Sequence, residues 1–248
     1  MIAQRLPHEI RKIQRAGRIV AETLEIIKIK VKPGITPKEL EELAEAHIQK
    51  RGGKPAFKGY QNFPASICVS VNEGVVHGIP GHRKLEQGDI VSIDVGVKYE
   101  GYYGDAAITL PVGEVTNGAL RLIDVTKQAL DAGVWECRVG NRLSDISHAI
   151  EIAARDAGLS VVKDFVGHGI GQLLHEEPQI PNYGPANRGP LLKEGMVFAL
   201  EPMVNAGGPE IEILPDHWSV VTKDRSLSAH FEHTVAVTLQ GPKILTAL

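Results

Sequence analysis

Four carboxylates and one imidazole stand where a charged side chain is costly: Asp94, Asp105, Glu201, Glu232 and His168. Asp94 lies in IVSIDVGV, with Val91, Ile93, Val95 and Val97 on one face and Ser92, Asp94 and Gly96 on the other. That period of two marks a half-buried strand whose aliphatic side goes to a core. A turn around Tyr99 to Gly101 leads into a second strand, Tyr102 to Leu110, which carries Asp105. An even loop count puts both aspartates on one side of this hairpin, and like charges that close raise each other's pKa unless a cation sits between them. Glu201 directly follows five apolar residues, Met196 to Leu200, and precedes Pro202, where an unpaired carboxylate is expensive. Glu232 falls mid-strand in LSAHFEHTV, sharing a face with His230 and Thr234. His168 stands in a Gly-rich turn, VGHGIG, whose glycines let the backbone approach a ligand closely. If the five converge, their negative charge calls for two divalent cations, a pair that generates a nucleophilic hydroxide at neutral pH. The oxygen-rich set favours manganese, iron(II), cobalt or zinc over copper, and the imidazole argues against magnesium. Taken alone, Asp94 and Asp105 read more readily as solvated aspartates on an exposed sheet face; the remaining residues tip the reading.

The elements that must position these residues are legible in order. His8 to about Lys30 has helical spacing through Ile10, Ile13, Gly17, Val20, Leu24 and Ile27. A second helix starts with Thr36 as cap, Pro37 at its first position and Glu39 completing a capping box, and it ends at Gly52-Gly53. Ser66 to Val71 alternates as a strand, and His77 lies in the loop beyond the Asn72-Glu73-Gly74 turn. Residues 118–135 and the stretch from Leu143 to Gly158 read as two more helices. An offset of 106 residues aligns Gly34 with Gly140, Leu40 with Ile146, Ala44 with Ile150 and Gly52 with Gly158. The order helix, helix, strands thus occurs twice. It predicts an α+β fold with a pseudo-twofold pair of antiparallel sheet halves and helices on one side. No linker separates the halves, so residues 1–248 read as a single domain.

The bulk properties bound the function. The 248 residues are 43% hydrophobic and 23% charged, with a net charge of −3, which gives no support for nucleic-acid or membrane-surface binding. The two cysteines, Cys68 and Cys137, form no CxxC pair, which argues against a disulfide framework or zinc finger. No apolar run suggests a signal peptide or membrane span. A cytoplasmic setting is expected.

The chain resembles methionine aminopeptidases of type I, the pita-bread fold, bacterial-like and without an N-terminal zinc-finger extension. The segments that carry the resemblance are VNEGVVHGIP, GDIVSIDVGV, YYGDAAITL, VGHGIGQLLHEEP, VFALEPM and TKDRSLSAHFEHTV, spread over residues 60–240. The resemblance implies that Asp94 binds one metal, that Asp105 and Glu232 bridge two, and that His168 and Glu201 complete the second. It further implies that a metal-bridging water or hydroxide attacks the first peptide bond. Glu201 also serves as proton shuttle, and His77 and His175 stabilise developing charge or the leaving amide. The implied substrate is the initiator methionine of nascent polypeptides with a small second residue. Tyr60, Cys68 and Trp218 match positions lining the methionine pocket; Phe63 stands where Tyr is common, Phe57 replaces a Cys of some relatives, and Leu174 replaces an aromatic. A monomer is expected. Ribosome association fits an enzyme of nascent chains, though no basic tail argues for it.

The other histidines are assigned to helices (His8, His47, His148), loops (His82, His217) or packing (His230, His233), with support of Glu232 as a further role for His230. Cys137 is expected to be buried and inert. Three other readings compete. Prolidase-like relatives carry a large additional N-terminal domain. Type II methionine aminopeptidases insert a helical segment for which the spacings 168–201 and 201–232 leave no room. A metal-free partner-binding module would have lost ligands that are all present here.

Overall fold

The β-rich centre grows from the longest hairpin. The computed structural model describes residues 2–248. In chain order its helices are α1 (Pro7–Lys30), α2 (Pro37–Lys50), α3 (Asn117–Glu136) and α4 (Leu143–Asp156). Between α2 and α3 lie β1 (Lys54–Pro55), a 3-10 turn (Tyr60–Asn62), β2 (Cys68–Val71), β3 (Gly74–Val76), β4 (Ile90–Tyr99) and β5 (Tyr102–Pro111). After α4 come β6 (Ser160–Val161), β7 (Gly167–Gly169), β8 (Glu176–Ile180), β9 (Val197–Leu200) and β10 (Met203–Asn205). The chain closes with β11 (Ile211–Ile213), β12 (Val220–Thr222), β13 (Ser228–His230), β14 (His233–Thr238) and β15 (Gly241–Ile244).

Strands β4 and β5 pair antiparallel from Ile90↔Pro111 to Tyr99↔Tyr102. Glu100 and Gly101 close the turn with φ of 47° and 85°, the left-handed pair that matches the twist of a two-residue hairpin. Asp94 pairs with Ala107 and Gly96 with Asp105, so the two aspartates are diagonal neighbours on one face, as the hairpin parity requires. On the other face Val91, Ile93, Val95 and Val97 are fully buried against Val20, Leu24 and Ile27 of α1 and Leu40 and Ile48 of α2. At about 1.5–3 kcal/mol for each large aliphatic side chain taken out of water, this packing fixes the hairpin's register.

The internal repeat is physical. Helices α2 and α4 are displaced by 106 residues at both ends, as are β1 and β6. Gly34 and Gly140 share φ of 94°. Thr36 caps α2 by accepting from the Glu39 amide while the Glu39 carboxylate accepts from the Thr36 amide. Helices α3 and α4 pack Leu122, Leu130, Ile146 and Ile150 against Phe198 and Leu200 of β9 and Val235 and Val237 of β14.

Three sequence expectations need correction. The stretch from Leu227 to Val235 is two strands: β13 pairs with β10 and β14 with β9, in different sheets. Phe231 and Glu232 form the break between them, so Glu232 is not mid-strand. The Gly-rich segment at His168 is the short strand β7, sandwiched between β8 and β9, rather than a turn. The expected strand at Ser66 begins two residues later, at Cys68.

The seam between the halves is sewn by threonines. Ala107 and Glu232 exchange backbone bonds of 2.9 and 3.3 Å. On one side of that pair Thr234 Oγ1 accepts from the Asp105 amide at 3.0 Å and donates to its carbonyl at 2.8 Å. On the other, Thr109 Oγ1 accepts from the His230 amide and donates to its carbonyl, both at 2.8 Å. Among the described residues no helix is long and apolar enough to cross a membrane.

Candidate metal centre

Each site carboxylate is delivered by a different device. Asp94 and Asp105 come from the polar face of the β4–β5 hairpin. Glu201 sits at the end of β9, where Pro202 interrupts the ladder before β10, since proline has no amide to donate. Glu232 sits in the break between β13 and β14, and His168 is the middle residue of β7. The five side chains meet. Ligand atoms of Asp105, His168 and Glu232 all lie within 4.8 Å of one another, and His168 Nε2 is 3.5 Å from Glu201 Oε1. His168 Nδ1 lies 2.8 Å from the Gly169 carbonyl. A carbonyl can only accept, so Nδ1 carries the proton and Nε2 keeps a free lone pair toward the carboxylates.

The electrostatics are unbalanced as the side chains stand. Burial first, then the neighbouring carboxylates, pushes Asp105, Glu201 and Glu232 well above the usual carboxylate range. Burial raises Asp94 to about 7 and outweighs its hydrogen bond with Asp105. Burial lowers His168 to about 3, assisted by His175, so the imidazole supplies no positive charge. Asp94 Oδ1, Asp105 Oδ1 and Glu232 Oε1 are buried without a hydrogen-bond partner. The ion-pair neighbours of the four carboxylates among the described residues are histidines alone. Buried acceptor oxygens with no donor, beside an imidazole offering its lone pair, fit a divalent cation: it removes both the charge repulsion and the unmet acceptors.

The five carboxylate and imidazole residues line one cavity of about 210 Å³ together with His77, His175, Tyr60, Cys68 and Trp218. Its apolar end is built from Phe57, Phe63, Cys68, Leu174 and Trp218, with the Phe63 and Trp218 rings edge to face at 5.1 Å. His175 Nδ1 is 2.8 Å from Tyr60 Oη, and its ring stands 4.3 Å from that of His168. His77 stacks edge-on to Phe165 at 5.3 Å. Burial, with a contribution from His175, lowers His77 to about 4, and burial lowers His175 as well. Both are neutral hydrogen-bonding groups at pH 7.

A family model, metallopeptidase family M24, matches residues 11–239. The methionine aminopeptidase 1 of Bacillus subtilis (strain 168) is 54% identical over 246 residues, covering 99% of both chains. The chain belongs to metallopeptidase family M24, among its methionine aminopeptidases. Crystal structures of M24 relatives agree with the fold. The methionine aminopeptidase of Rickettsia prowazekii superimposes with a TM-score of 0.98 at 44% identity, over 99% of this chain and 100% of that one. That of Thermotoga maritima also gives 0.98 at 44%, over all of both chains. The pita-bread architecture with its antiparallel sheet halves is thus shared.

Some neighbours of this M24 site were not legible in the sequence. Gln61, Val76, Phe165 and Val166 line the cavity, although nothing in their local pattern separates them from loop and strand residues elsewhere. His230 is buried, in keeping with a packing residue. Its Nε2 points toward Glu201 Oε2 at 3.8 Å, rather than toward Glu232. His233 packs as read, with Nδ1 2.9 Å from Thr246 Oγ1. Cys137 is buried, and burial pushes its thiol up to about 12, in keeping with an inert residue.

Proposed function

We propose that this chain is a methionyl aminopeptidase that removes the N-terminal methionine from polypeptides whose second residue is small. The observation that carries the reading is the continuity of one cavity from the carboxylate cluster to the apolar end formed by Phe57, Phe63, Cys68, Leu174 and Trp218. An unbranched apolar side chain fills that end while the adjoining peptide bond lies over the carboxylates. Residues 1–248 act as one catalytic unit. Two divalent ions, drawn from cobalt, manganese, iron(II) and zinc, are held by Asp94, Asp105, His168, Glu201 and Glu232. When bound, such ions activate water and neutralise charge that builds on the carbonyl oxygen.

The chain's own groups do the rest. Glu201 accepts a proton as water attacks the carbonyl carbon, and returns it to the leaving nitrogen as the C–N bond breaks. Tyr60 donates its hydroxyl hydrogen to His175 Nδ1, which leaves the His175 Nε2 hydrogen facing the cavity. That donor stabilises the oxygen that gains charge. His77, neutral and buried, holds the scissile amide from the other side. Free methionine and the shortened chain are the products. The setting is cytoplasmic, the partners are nascent chain N-termini at the ribosome, and the enzyme works as a monomer.

The test is methionine release from Met-Ala-Ser, Met-Lys-Ser and N-formyl-Met-Ala-Ser by chelator-stripped protein restored with manganese, iron(II) or cobalt. Release from Met-Ala-Ser alone, and only with metal, is expected. Calorimetric binding of two metals without release from any peptide would sink the substrate assignment.

A further inference from the structure

We infer that Arg5, outside the cavity, is a positioning residue that sets His175 and Leu174 in place through Glu176. The inference rests on the aminopeptidase reading above. The segment Gly171–His175 lies between Ile170 and the start of β8 and belongs to no strand. It carries Leu174 into the apolar pocket and His175 to Tyr60. Two of its amides are held by a side chain: Gln172 N and Leu173 N donate to Glu176 Oε1 at 2.8 and 3.0 Å. The other oxygen of that carboxylate, Oε2, pairs with the Arg5 guanidinium. Side-chain exposure at this pair is only 10% and 14%, so it is far less screened than a surface ion pair.

Arg5 is itself anchored. Its amide donates to the Gly195 carbonyl at 2.7 Å, and its guanidinium also approaches Glu9 Oε1 at 3.8 Å. The guanidinium lies flat over Gly171, where any Cβ would run into it. A second chain of bonds converges on the same segment. Tyr102 Oη donates to Glu9 Oε1 at 2.9 Å and accepts from Gln172 Nε2 at 3.1 Å. The arm ahead of α1 therefore fixes the orientation of the carboxylate that shapes the segment. Without Arg5, Glu176 keeps its two amide donors but loses the cation that directs its second oxygen, and the segment samples other geometries. Small misplacements of groups that contact the transition state are costly in rate.

The test combines amide hydrogen exchange of the Gly171–His175 segment, on metal-loaded and metal-free protein, with kinetics on Met-Ala-Ser. In Arg5→Ala the segment exchanges at least roughly tenfold faster while α4 is unaffected. In the same variant kcat falls roughly ten- to a hundredfold and KM changes by less than about threefold. Arg5→Lys, which restores the charge without the planar fork, recovers part of both. Should Arg5→Ala fail to fold, Glu176→Gln carries the test with the same segmental acceleration expected. Wild-type exchange and kcat in the substituted protein would overturn the inference. So would a uniform loss of protection, with kcat falling only as the folded fraction falls. If wild-type protein releases no methionine with any metal, the aminopeptidase reading fails, and the exchange arm still decides whether Arg5 holds the segment.

Discussion

Thr234 and Asp105 are joined twice through one hydroxyl: Thr234 Oγ1 accepts from the Asp105 amide at 3.0 Å and donates to the Asp105 carbonyl at 2.8 Å. A side chain here completes the pairing that a backbone would normally make. It ties β5 to β14 across the seam and sets the spacing between Asp105 and Glu232, whose ligand atoms lie within 4.8 Å. Thr234→Val keeps the shape and removes both bonds, orphaning a buried amide and carbonyl. The expected loss is roughly 2–4 kcal/mol in urea unfolding. Thr234→Ser keeps the hydroxyl, and its loss is about 1 kcal/mol, the cost of one buried methyl. If Thr234→Val unfolds at the wild-type midpoint, the threonine does not hold the seam.

The charge imbalance of the cluster sets how metal-free protein responds to pH. Asp94 has a folded-state value near 7 against an ordinary 3.8, through burial. A carboxylate raised on folding favours the protonated native state. Its contribution to stability is full below about pH 4 and is lost as pH rises through about 7. Asp94→Asn, permanently neutral, is therefore expected to raise the melting midpoint of metal-free protein at pH 7.5 by several degrees and to change it little at pH 4. Manganese is expected to stabilise the wild type most above pH 7 and to stabilise Asp94→Asn much less. Thermal melts of both proteins at several pH values, with and without metal, check this. An Asp94→Asn gain that is the same at pH 4 and 7.5 would refute the assignment of the burden to this carboxylate.

Features whose causes lie within a few residues were readable before the fold was in hand. The Thr36–Glu39 capping box is local, and so is the arithmetic that sets Asp94 and Asp105 on one face. The repeat was readable because α2 and α4 use the same punctuation, Gly34 and Gly140 before and Gly52 and Gly158 after. What escaped is imposed from a distance. Glu232 occupies a break because β13 and β14 are claimed by different sheets; alternation in a single sequence cannot register a change of partner. Thr109 and Thr234 look like ordinary β-branched strand formers, yet both replace backbone groups at the seam. Phe165 reaches the cavity only because β7 places its preceding loop beside His77.

Close backbone contact between α1 and β5 provides a test of how helix and hairpin are joined. A Cβ on Gly104 would lie 2.6 Å from Gly17 N and 2.8 Å from its Cα. These are backbone atoms on the buried face of α1 that cannot move aside independently. Gly104→Ala is expected to destabilise by roughly 1–3 kcal/mol through overpacking, read as a lower urea midpoint with an unchanged slope. Asp105 follows directly in β5, so metal affinity is also expected to fall. A variant as stable as the wild type, with unchanged metal binding, would show that α1 yields at this point.

His175 and Tyr60 make the last prediction, since their 2.8 Å contact joins Nδ1 to a phenol hydroxyl. With the hydroxyl donating to Nδ1, the tautomer is set and the other ring nitrogen carries its hydrogen toward the cavity. His175→Ala removes that donor outright, and kcat on Met-Ala-Ser is expected to fall roughly 10²–10³-fold. Tyr60→Phe leaves the ring but frees its tautomer and rotation, with a smaller fall of about three- to tenfold. Because the tyrosine acts through the histidine, Tyr60→Phe adds little in the His175→Ala background. Burial keeps His175 below its ordinary value and His77 near 4, so both imidazoles are expected to titrate below 6.5 in the profile of kcat/KM against pH. If the two substitutions multiply in full, Tyr60 acts on the substrate by itself and not through His175.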